Sequence, residues 1–249
     1  MLLDDKVAVI YGGGGAIGGA IARAFAAQGA SVYLTGRTER TLAHTAQTIA
    51  EAGGSAQVAV VDALNETAVD GFTDDVAHAA GRIDVSVNVI GYQDVQRPLD
   101  EISVDNFLQP VLVATRSQFL TTRAAARYMV PRSSGVILTF GGSGPQTLPG
   151  LGGFKVALDA VESVRRQWAV ELGAHGIRVV SLKTGGIPES IPASQPGVQK
   201  IAEEITRETL LGRAATLADV GSVAAFLVSD EAATITATEI NISAGALVD

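Results

Sequence analysis

Cysteine is absent from the 249 residues, which excludes disulfide bonds and thiolate metal sites. The three histidines, His44, His78 and His175, are scattered and show no metal-ligand spacing. No apolar run approaches the roughly 20 residues that a membrane span needs, and the chain opens on a polar turn and a strand rather than a secretory signal. We therefore expect no bound metal, no membrane association and a reducing, cytoplasmic location.

Basic residues are also in the minority, with 18 Lys and Arg against 26 Asp and Glu and a net charge of −8. An acidic surface argues against nucleic-acid binding and leaves a small molecule as the expected partner. Hydrophobic residues make up 47% of the chain, which is enough for a large core. We predict a single domain spanning residues 1–249.

Short apolar runs alternate with helical patterns along the whole chain. Most of these runs lack polar alternation, which is typical of strands covered on both faces. The seven predicted strands are Val7–Tyr11, Ser31–Thr35, Gln57–Val61, Val85–Ile90, Gly135–Phe140, Arg178–Leu182 and Glu239–Ile242. The helical stretches are Ala16–Gln28, Glu39–Ala52, Glu66–Ala80, Val104–Met129, Lys155–Ala174 and Ala218–Ser229. This order predicts a doubly wound, parallel, seven-stranded sheet of Rossmann type in a three-layer α/β/α domain.

The least regular stretch is Gly185–Gly197, where Pro188, Pro192 and Pro196 prevent a continuous helix. Loops that follow strands in α/β folds commonly carry function. The stretch is either a lid over the strand ends or a plain surface connection.

A glycine-rich turn joins the first strand to the first helix. The spacing Gly13-x-Gly15-x-x-Gly18 between a strand and a helix fits a dinucleotide fingerprint. A diphosphate must approach the main chain closely, where a Cβ atom would block it, and then rests on free N–H groups at the positive helix end. We expect the pyrophosphate to be held by Gly12, Gly14, Gly15, Ile17 and Gly18.

The end of the second strand indicates which dinucleotide binds. An NAD site usually places a carboxylate about 20 residues past the turn, but this chain has Gly36 and Arg37, with Arg40 close behind. A guanidinium favours a 2′-phosphate through charge-assisted hydrogen bonds. We therefore predict NADP(H) as the cofactor, with NAD less favoured.

Several motifs, in order and at their usual spacings, resemble the short-chain dehydrogenase/reductase family. Tyr11–Gly18 resembles T-G-x-x-x-G-x-G, Ile83–Gly91 resembles the fourth strand and its N-N-A-G end, and Gly176–Val180 resembles G-I-R-V-N. The resemblance implies a homo-oligomer, a dimer or a tetramer, paired through the two long helices. It also implies further cofactor contacts, which are Asp62 and Ala63 at adenine, Asn88 and Gly91 on the ribose side, Lys155 at the nicotinamide ribose, and Ile187 near the nicotinamide.

The family's chemistry uses a tyrosine as proton donor, a lysine that lowers the phenol pKa, a serine at the substrate oxygen and an asparagine that anchors a water. Only the lysine is retained clearly, as Lys155. Leu151 aligns with the tyrosine, and Ala114 aligns with the asparagine. Gly142 aligns with the serine, and Ser143 follows it.

Three interpretations stay open. Other groups replace the tyrosine, with Lys155, Ser143 and Tyr92 as the catalytic candidates and Lys183 as a second possible acid, although Tyr92 also fits a packing aromatic. Alternatively, the chain reduces a conjugated enone. Either case gives an NADP(H)-dependent oxidoreductase acting on a carbonyl, an enone or an alcohol at an atypical active site. In the third interpretation the chain is a catalytically inactive nucleotide-binding relative with a sensor or structural role.

Overall fold

The computed structural model describes residues 1–142 and 147–248. Within these residues seven strands form one sheet, and they are β1 (Val7–Tyr11), β2 (Ser31–Gly36), β3 (Ser55–Val60), β4 (Val85–Asn88), β5 (Gly135–Gly141), β6 (Ile177–Lys183) and β7 (Thr238–Asn241). The helices of the same part of the chain are α1 (Ala16–Ala27), α2 (Glu39–Glu51), α3 (Glu66–Ala80), α4 (Val104–Met129), α5 (Gly153–Gly173), α6 (Val198–Arg207) and α7 (Leu217–Val228).

All neighbouring strands pair in parallel, in the order β3-β2-β1-β4-β5-β6-β7. The winding direction reverses between β1 and β4, because β2 follows β1 on one side and β4 returns to the other. In open α/β sheets ligands bind beyond the carboxyl ends of the strands at such a reversal. The topology therefore predicts a ligand site at the turns that follow β1 and β4.

Alternating residues of the strands pack into two separate cores. On one face, Ile10 and its equivalents contact α1, α2 and α7, and on the other, Val9 and its equivalents contact α3, α4 and α5. Both faces of the inner strands are thus covered, which explains why their sequences lack polar alternation. The predicted three-layer, doubly wound α/β fold is confirmed.

The predicted strands and helices all exist, and most of their ends lie within two residues of the predicted positions. The sequence analysis missed α6, whose 10 residues include no buried side chain. Its signal was the spacing of Val198, Ile201 and Ile205, which places three apolar residues on one helical face. The stretch Gly185–Gly197 is irregular apart from a short helical turn at Pro188–Ser190. The two alternatives for this stretch, a lid or a plain surface connection, both stay open as predictions.

No helix among the described residues combines the length and apolar character that crossing a membrane requires. The same part of the chain holds no group of three or more His, Cys, Asp or Glu side chains placed to bind a metal ion.

Tyr11 ends β1 inside the core, where its hydroxyl lies 3.1 Å from Thr73 Oγ1 and its ring meets Phe72 edge to face. Burial raises the pKa of Tyr11 to about 12, against an ordinary value of 10.0. The folded protein therefore disfavours the phenolate. The protonated phenol makes its full contribution to the free energy of unfolding below pH 10. This contribution is lost as the pH rises from 10 to about 12.

We predict that Tyr11→Phe removes part of this alkaline sensitivity. Two pKa units correspond to roughly 3 kcal/mol, so the unfolding free energy of the wild type should fall by about that amount more than the variant's between pH 10 and 12. Urea titrations from pH 8 to 12 measure the unfolding free energies of the two proteins. If the two proteins lose stability in parallel above pH 10, the buried phenol is not the cause.

Candidate functional site

The turn after β1 is held by main-chain hydrogen bonds. The N–H groups of Gly12 and Gly13 donate to the Thr35 carbonyl at 2.8 and 3.1 Å, and Gly15 N–H donates to the Gly12 carbonyl at 3.0 Å. Gly12 has φ +88°, in the left-handed region that favours glycine. The turn therefore links β1, β2 and the start of α1 without using a side chain.

Main-chain atoms approach this turn closely. A Cβ atom on Gly12 would lie 2.6 Å from the Val89 carbonyl oxygen, and one on Gly18 would collide with the Gly12 carbonyl oxygen. No side chain caps the N-terminus of α1, and its first turn carries no acidic residue. The bare N–H groups at this helix end fit a dinucleotide pyrophosphate.

A cavity of about 290 Å³, which we call the first cavity, opens beside the turn. It brings together most of the predicted cofactor residues, namely Gly12, Gly14, Gly15, Arg37, Asp62, Ala63 and Gly91. Arg37 is exposed at the end of β2 and makes no ion pair within the described part of the chain. Its guanidinium is therefore available to a ligand in this cavity.

Four of the predicted cofactor residues line neither of the two cavities at this site, and they are Gly18, Asn88, Lys155 and Ile187. Asn88 is buried, donates to Thr121 Oγ1 at 3.1 Å and accepts from Ile90 N–H at 3.1 Å, so it fixes the turn after β4 and lines neither of the two cavities at this site. Ile187 is buried in the core on the α1 face and also lines neither cavity. Ile17 lines the adjoining second cavity.

The second cavity measures about 830 Å³ and shares Val89, Ile90 and Gly91 with the first. Its wall is mainly apolar and comes from the ends of β4 and β5, the start of α5 and the segment after β6, and it includes Tyr92, Phe140, Leu148, Leu151, Phe154, Leu158 and Leu247. An apolar cleft with few polar groups is the usual form of a small-molecule site. The two adjoining cavities lie at the strand ends where the winding reverses.

Tyr92 is the only one of the four tyrosines that lines the second cavity, as far as the described residues show. Its hydroxyl donates to the Phe140 carbonyl at 3.2 Å, and its ring centre lies 6.2 Å from that of Phe154. Burial raises the pKa of Tyr92 to about 12, although the neighbouring Gln118 amide opposes this. Tyr92 thus combines core packing with a position on the cavity wall.

Lys155, a second catalytic candidate, does not reach the wall of the second cavity. Lys155 lies in the first turn of α5, where Nζ donates to Asp159 Oδ1 at 2.6 Å, and its side chain lines neither cavity. Ser143 lies outside the described residues. Leu151, at the position that the sequence comparison assigned to a phenol, is on the wall of the second cavity.

Lys183 is buried at the end of β6. Its Nζ forms an ion pair with Glu239 Oε1 of β7 at 2.8 Å. A Cβ atom on Gly141 would lie 3.9 Å from Glu239 Oε2, so the ion pair is beside the end of β5. Lys183 is therefore held by a carboxylate and lines neither cavity.

In the segment after β6, Glu189 accepts a hydrogen bond from Leu217 N–H at 2.7 Å, which ties this segment to the start of α7.

Sequence reasoning missed Gln118, which lies one helical turn beyond Ala114 on α4. Its side chain is 1% exposed and lies close enough to the Tyr92 hydroxyl to lower the pKa of that phenol, yet neither amide atom makes a hydrogen bond of good geometry among the described residues. Buried polar groups normally have partners. The signal was a polar residue four positions after Ala114, on the same face of the helix.

A buried network of polar side chains also connects α5 with the sheet. Arg165 donates to both carboxylate oxygens of Glu162 at 2.5 and 2.7 Å, and Ser181 Oγ donates to Glu162 at 2.9 Å. Ser181 Oγ lies 2.5 Å from Thr139 Oγ1. Burial raises the pKa of Glu162, but the contacts with Arg165 and Ser181 outweigh it, so the pKa lies below its usual value. This network fixes the position of α5, the helix that carries Lys155.

A family model described as "Enoyl-(Acyl carrier protein) reductase" matches residues 14–246, nearly the whole chain. The chain belongs to the short-chain dehydrogenase/reductase family. It is accordingly an oxidoreductase of a family that works with NAD(H) or NADP(H).

Individual relatives of this family match end to end at low identity. Levodione reductase of Leifsonia aquatica is 28% identical over 250 residues, covering 97% of this chain and 94% of the relative. Secoisolariciresinol dehydrogenase of Forsythia intermedia is 30% identical over 259 residues, covering 98% and 89%. A crystal structure of levodione reductase has a TM-score of 0.89 at 26% identity and covers 97% of each chain. The similarity thus extends over the turn, both cavities and the closing strand.

Proposed function

We propose that the protein is an NADP(H)-dependent oxidoreductase that reduces a carbonyl or conjugated enone, or oxidises the matching alcohol, of an apolar small molecule. The observation that carries this proposal is the uncapped glycine turn, which opens onto two adjoining cavities, one with a free arginine and one with an apolar wall. Relatives named as reductases and dehydrogenases support the same class of reaction.

Each part of the site has a distinct role. The turn binds the pyrophosphate, Arg37 holds the 2′-phosphate, and Asp62 and Ala63 border the adenine. The cofactor supplies a hydride when bound. Lys155 would exchange Asp159 for the nicotinamide ribose, because its salt bridge on the helix surface is weak enough to be replaced.

The substrate site is the second cavity. Its apolar wall excludes water and binds the body of the substrate. Tyr92 is the candidate to polarise the substrate oxygen and donate a proton, with Ser143 as a second hydroxyl.

The test combines calorimetry with turnover. NADPH should bind to the apo protein, and NADPH consumption over a panel of ketones, quinones and enones should identify a substrate. Tight binding without any turnover would favour the catalytically inactive alternative, and no binding of either coenzyme would refute the proposal.

Arg37→Gln tests the coenzyme preference. We expect NADPH affinity to fall about 10- to 100-fold, because a charge-assisted contact to the 2′-phosphate is lost. NADH affinity of the same variant should change less than about twofold, since NADH has no 2′-phosphate. Calorimetry with both coenzymes measures this, and equal or tighter wild-type binding of NADH would contradict the assignment.

We also propose that the chain forms a dimer or tetramer through α4 and α5. Leu112 and Phe119 on α4 and Val170 on α5 are exposed apolar side chains. Light scattering should give at least twice the 25.5 kDa chain mass, and Phe119→Glu should reduce it, because a buried charge disfavours the contact. Val60→Glu, at an exposed site on the edge strand β3, is the control. A monomeric wild type would contradict the proposal.

A further inference from the structure

The charged side chains on the second cavity's wall are both acidic. Of the described residues that line it, Asp94 and Glu208 carry charge, and no lysine or arginine is present. An anionic substrate would therefore meet only like charge, whereas a cation would be attracted.

Of these two carboxylates, Glu208 has the less favourable position, whereas Asp94 accepts a hydrogen bond from Gln96 Nε2 at 3.0 Å. Glu208 directly follows α6 as its C-cap residue, and its N–H donates to the Glu204 carbonyl at 3.2 Å. The carboxyl end of a helix carries partial negative charge, so an anion there is destabilising. Within the described part of the chain, neither Asp94 nor Glu208 has a lysine or arginine partner. A cationic ligand would offset both charges.

The rest of the wall suits the body of such a ligand. Tyr92, Phe140 and Phe154 supply aromatic rings to the second cavity. The faces of aromatic rings attract cations, and more strongly where water is excluded. Apolar area and aromatic faces together fit a hydrophobic organic cation better than a small hydrated one.

Proton donors on this wall are scarce. Reduction of a ketone needs a proton on its oxygen, and a leucine, Leu151, is on the wall where a phenol was expected. The Tyr92 hydroxyl already donates to the Phe140 carbonyl. A substrate whose reduction needs no proton would suit this wall better.

We propose that the second cavity reduces an apolar iminium ion to a tertiary amine. This inference rests on the proposed function as a nicotinamide-dependent oxidoreductase. The C4–H bond of NADPH breaks, and its electron pair forms a C–H bond at the iminium carbon. The C=N π pair becomes the nitrogen lone pair, so NADPH is oxidised to NADP⁺ and the iminium is reduced. Charge and atoms balance, and no proton is consumed.

The test compares N-methyl-3,4-dihydroisoquinolinium with 1-tetralone, a neutral ketone of similar size. NADPH consumption, corrected for the enzyme-free rate, should give a kcat/KM at least about tenfold higher for the iminium, since only the ketone needs a proton donor. Tyr92→Phe should raise this ratio further. A carboxylate-bearing tetralone should be the poorest substrate.

Glu208→Gln tests the electrostatic part. The ratio of iminium to ketone kcat/KM should fall about fivefold, because one charge close to the substrate contributes about that factor near a protein surface. Glu203→Gln, at an exposed site on α6 outside the cavity wall, is the matched control and should leave the ratio unchanged. Raising the salt concentration should lower the ratio for the wild type.

The outcomes separate this inference from the proposed function. NADPH binding with ketone reduction but no advantage for the iminium would overturn the inference and leave the proposed function standing. An iminium advantage that is insensitive to Glu208→Gln and to salt would overturn the role of the carboxylates. Absence of NADPH binding by calorimetry would overturn both proposals.

Discussion

Replacing Gly12 by alanine should weaken NADPH binding by at least about 100-fold, or roughly 3 kcal/mol. The new Cβ atom would lie 2.6 Å from the Val89 carbonyl oxygen, and φ +88° is strained for alanine. Either the turn or the end of β4 must move, and both border the first cavity. Calorimetry with NADPH measures the loss, and circular dichroism verifies that the variant is folded.

Gly53→Ala is the matched control for this experiment. Gly53 has φ +80°, similar to Gly12, but a Cβ atom there would meet nothing within 4 Å. This variant reports the backbone strain alone, so its melting temperature should fall modestly and its NADPH affinity should stay unchanged. Unaltered NADPH affinity in folded Gly12→Ala would mean that the turn does not hold the pyrophosphate.

Tyr92→Phe should lower kcat for ketone reduction by about 10²- to 10⁴-fold, the usual contribution of a placed general acid. KM should change little, because the phenyl ring retains the packing against Phe154. With a pKa of about 12, the phenol stays protonated at neutral pH, so wild-type ketone reduction should be flat from pH 7 to 10 and decline only above that. Steady-state kinetics across this range measures both effects.

Tyr128→Phe serves as the control, because Tyr128 also uses its hydroxyl, donating to Asp74 at 2.7 Å, but does so outside the second cavity. It should retain wild-type turnover. If Tyr92→Phe does as well, Tyr92 is a packing aromatic and the proton comes from elsewhere.

The fold was predictable because its signals are local and repeated. Val7–Tyr11 is uniformly apolar, Val85–Asn88 is buried throughout, and α3 between them begins after a capping asparagine, Asn65. Helix α6 was missed because it is short, follows Pro196 and Gly197, and buries none of its side chains. Such a helix depends on its surroundings more than on an apolar stripe.

The closeness of the glycine turn and Arg37 was also predictable, because they follow β1 and β2, which pair in the sheet, and both line the first cavity. The substrate half of the site was not. The second cavity is lined by Tyr92, Leu151 and Glu208, which come from three segments far apart in sequence, and no short motif links them. Asn88 and Ile187 were assigned through the resemblance, and their burial emerges only from packing of the turn after β4 and of the segment after β6.

The buried carboxylate and guanidinium beneath α5 restrict how this protein can diverge. Glu162 and Arg165 are each 3% exposed, so replacing either one strands its partner's charge in the interior, whereas replacing both by apolar residues of similar volume removes that penalty. Substitutions at these two positions should therefore be coupled. Sequences that descend from this one should retain both charged residues or lose both.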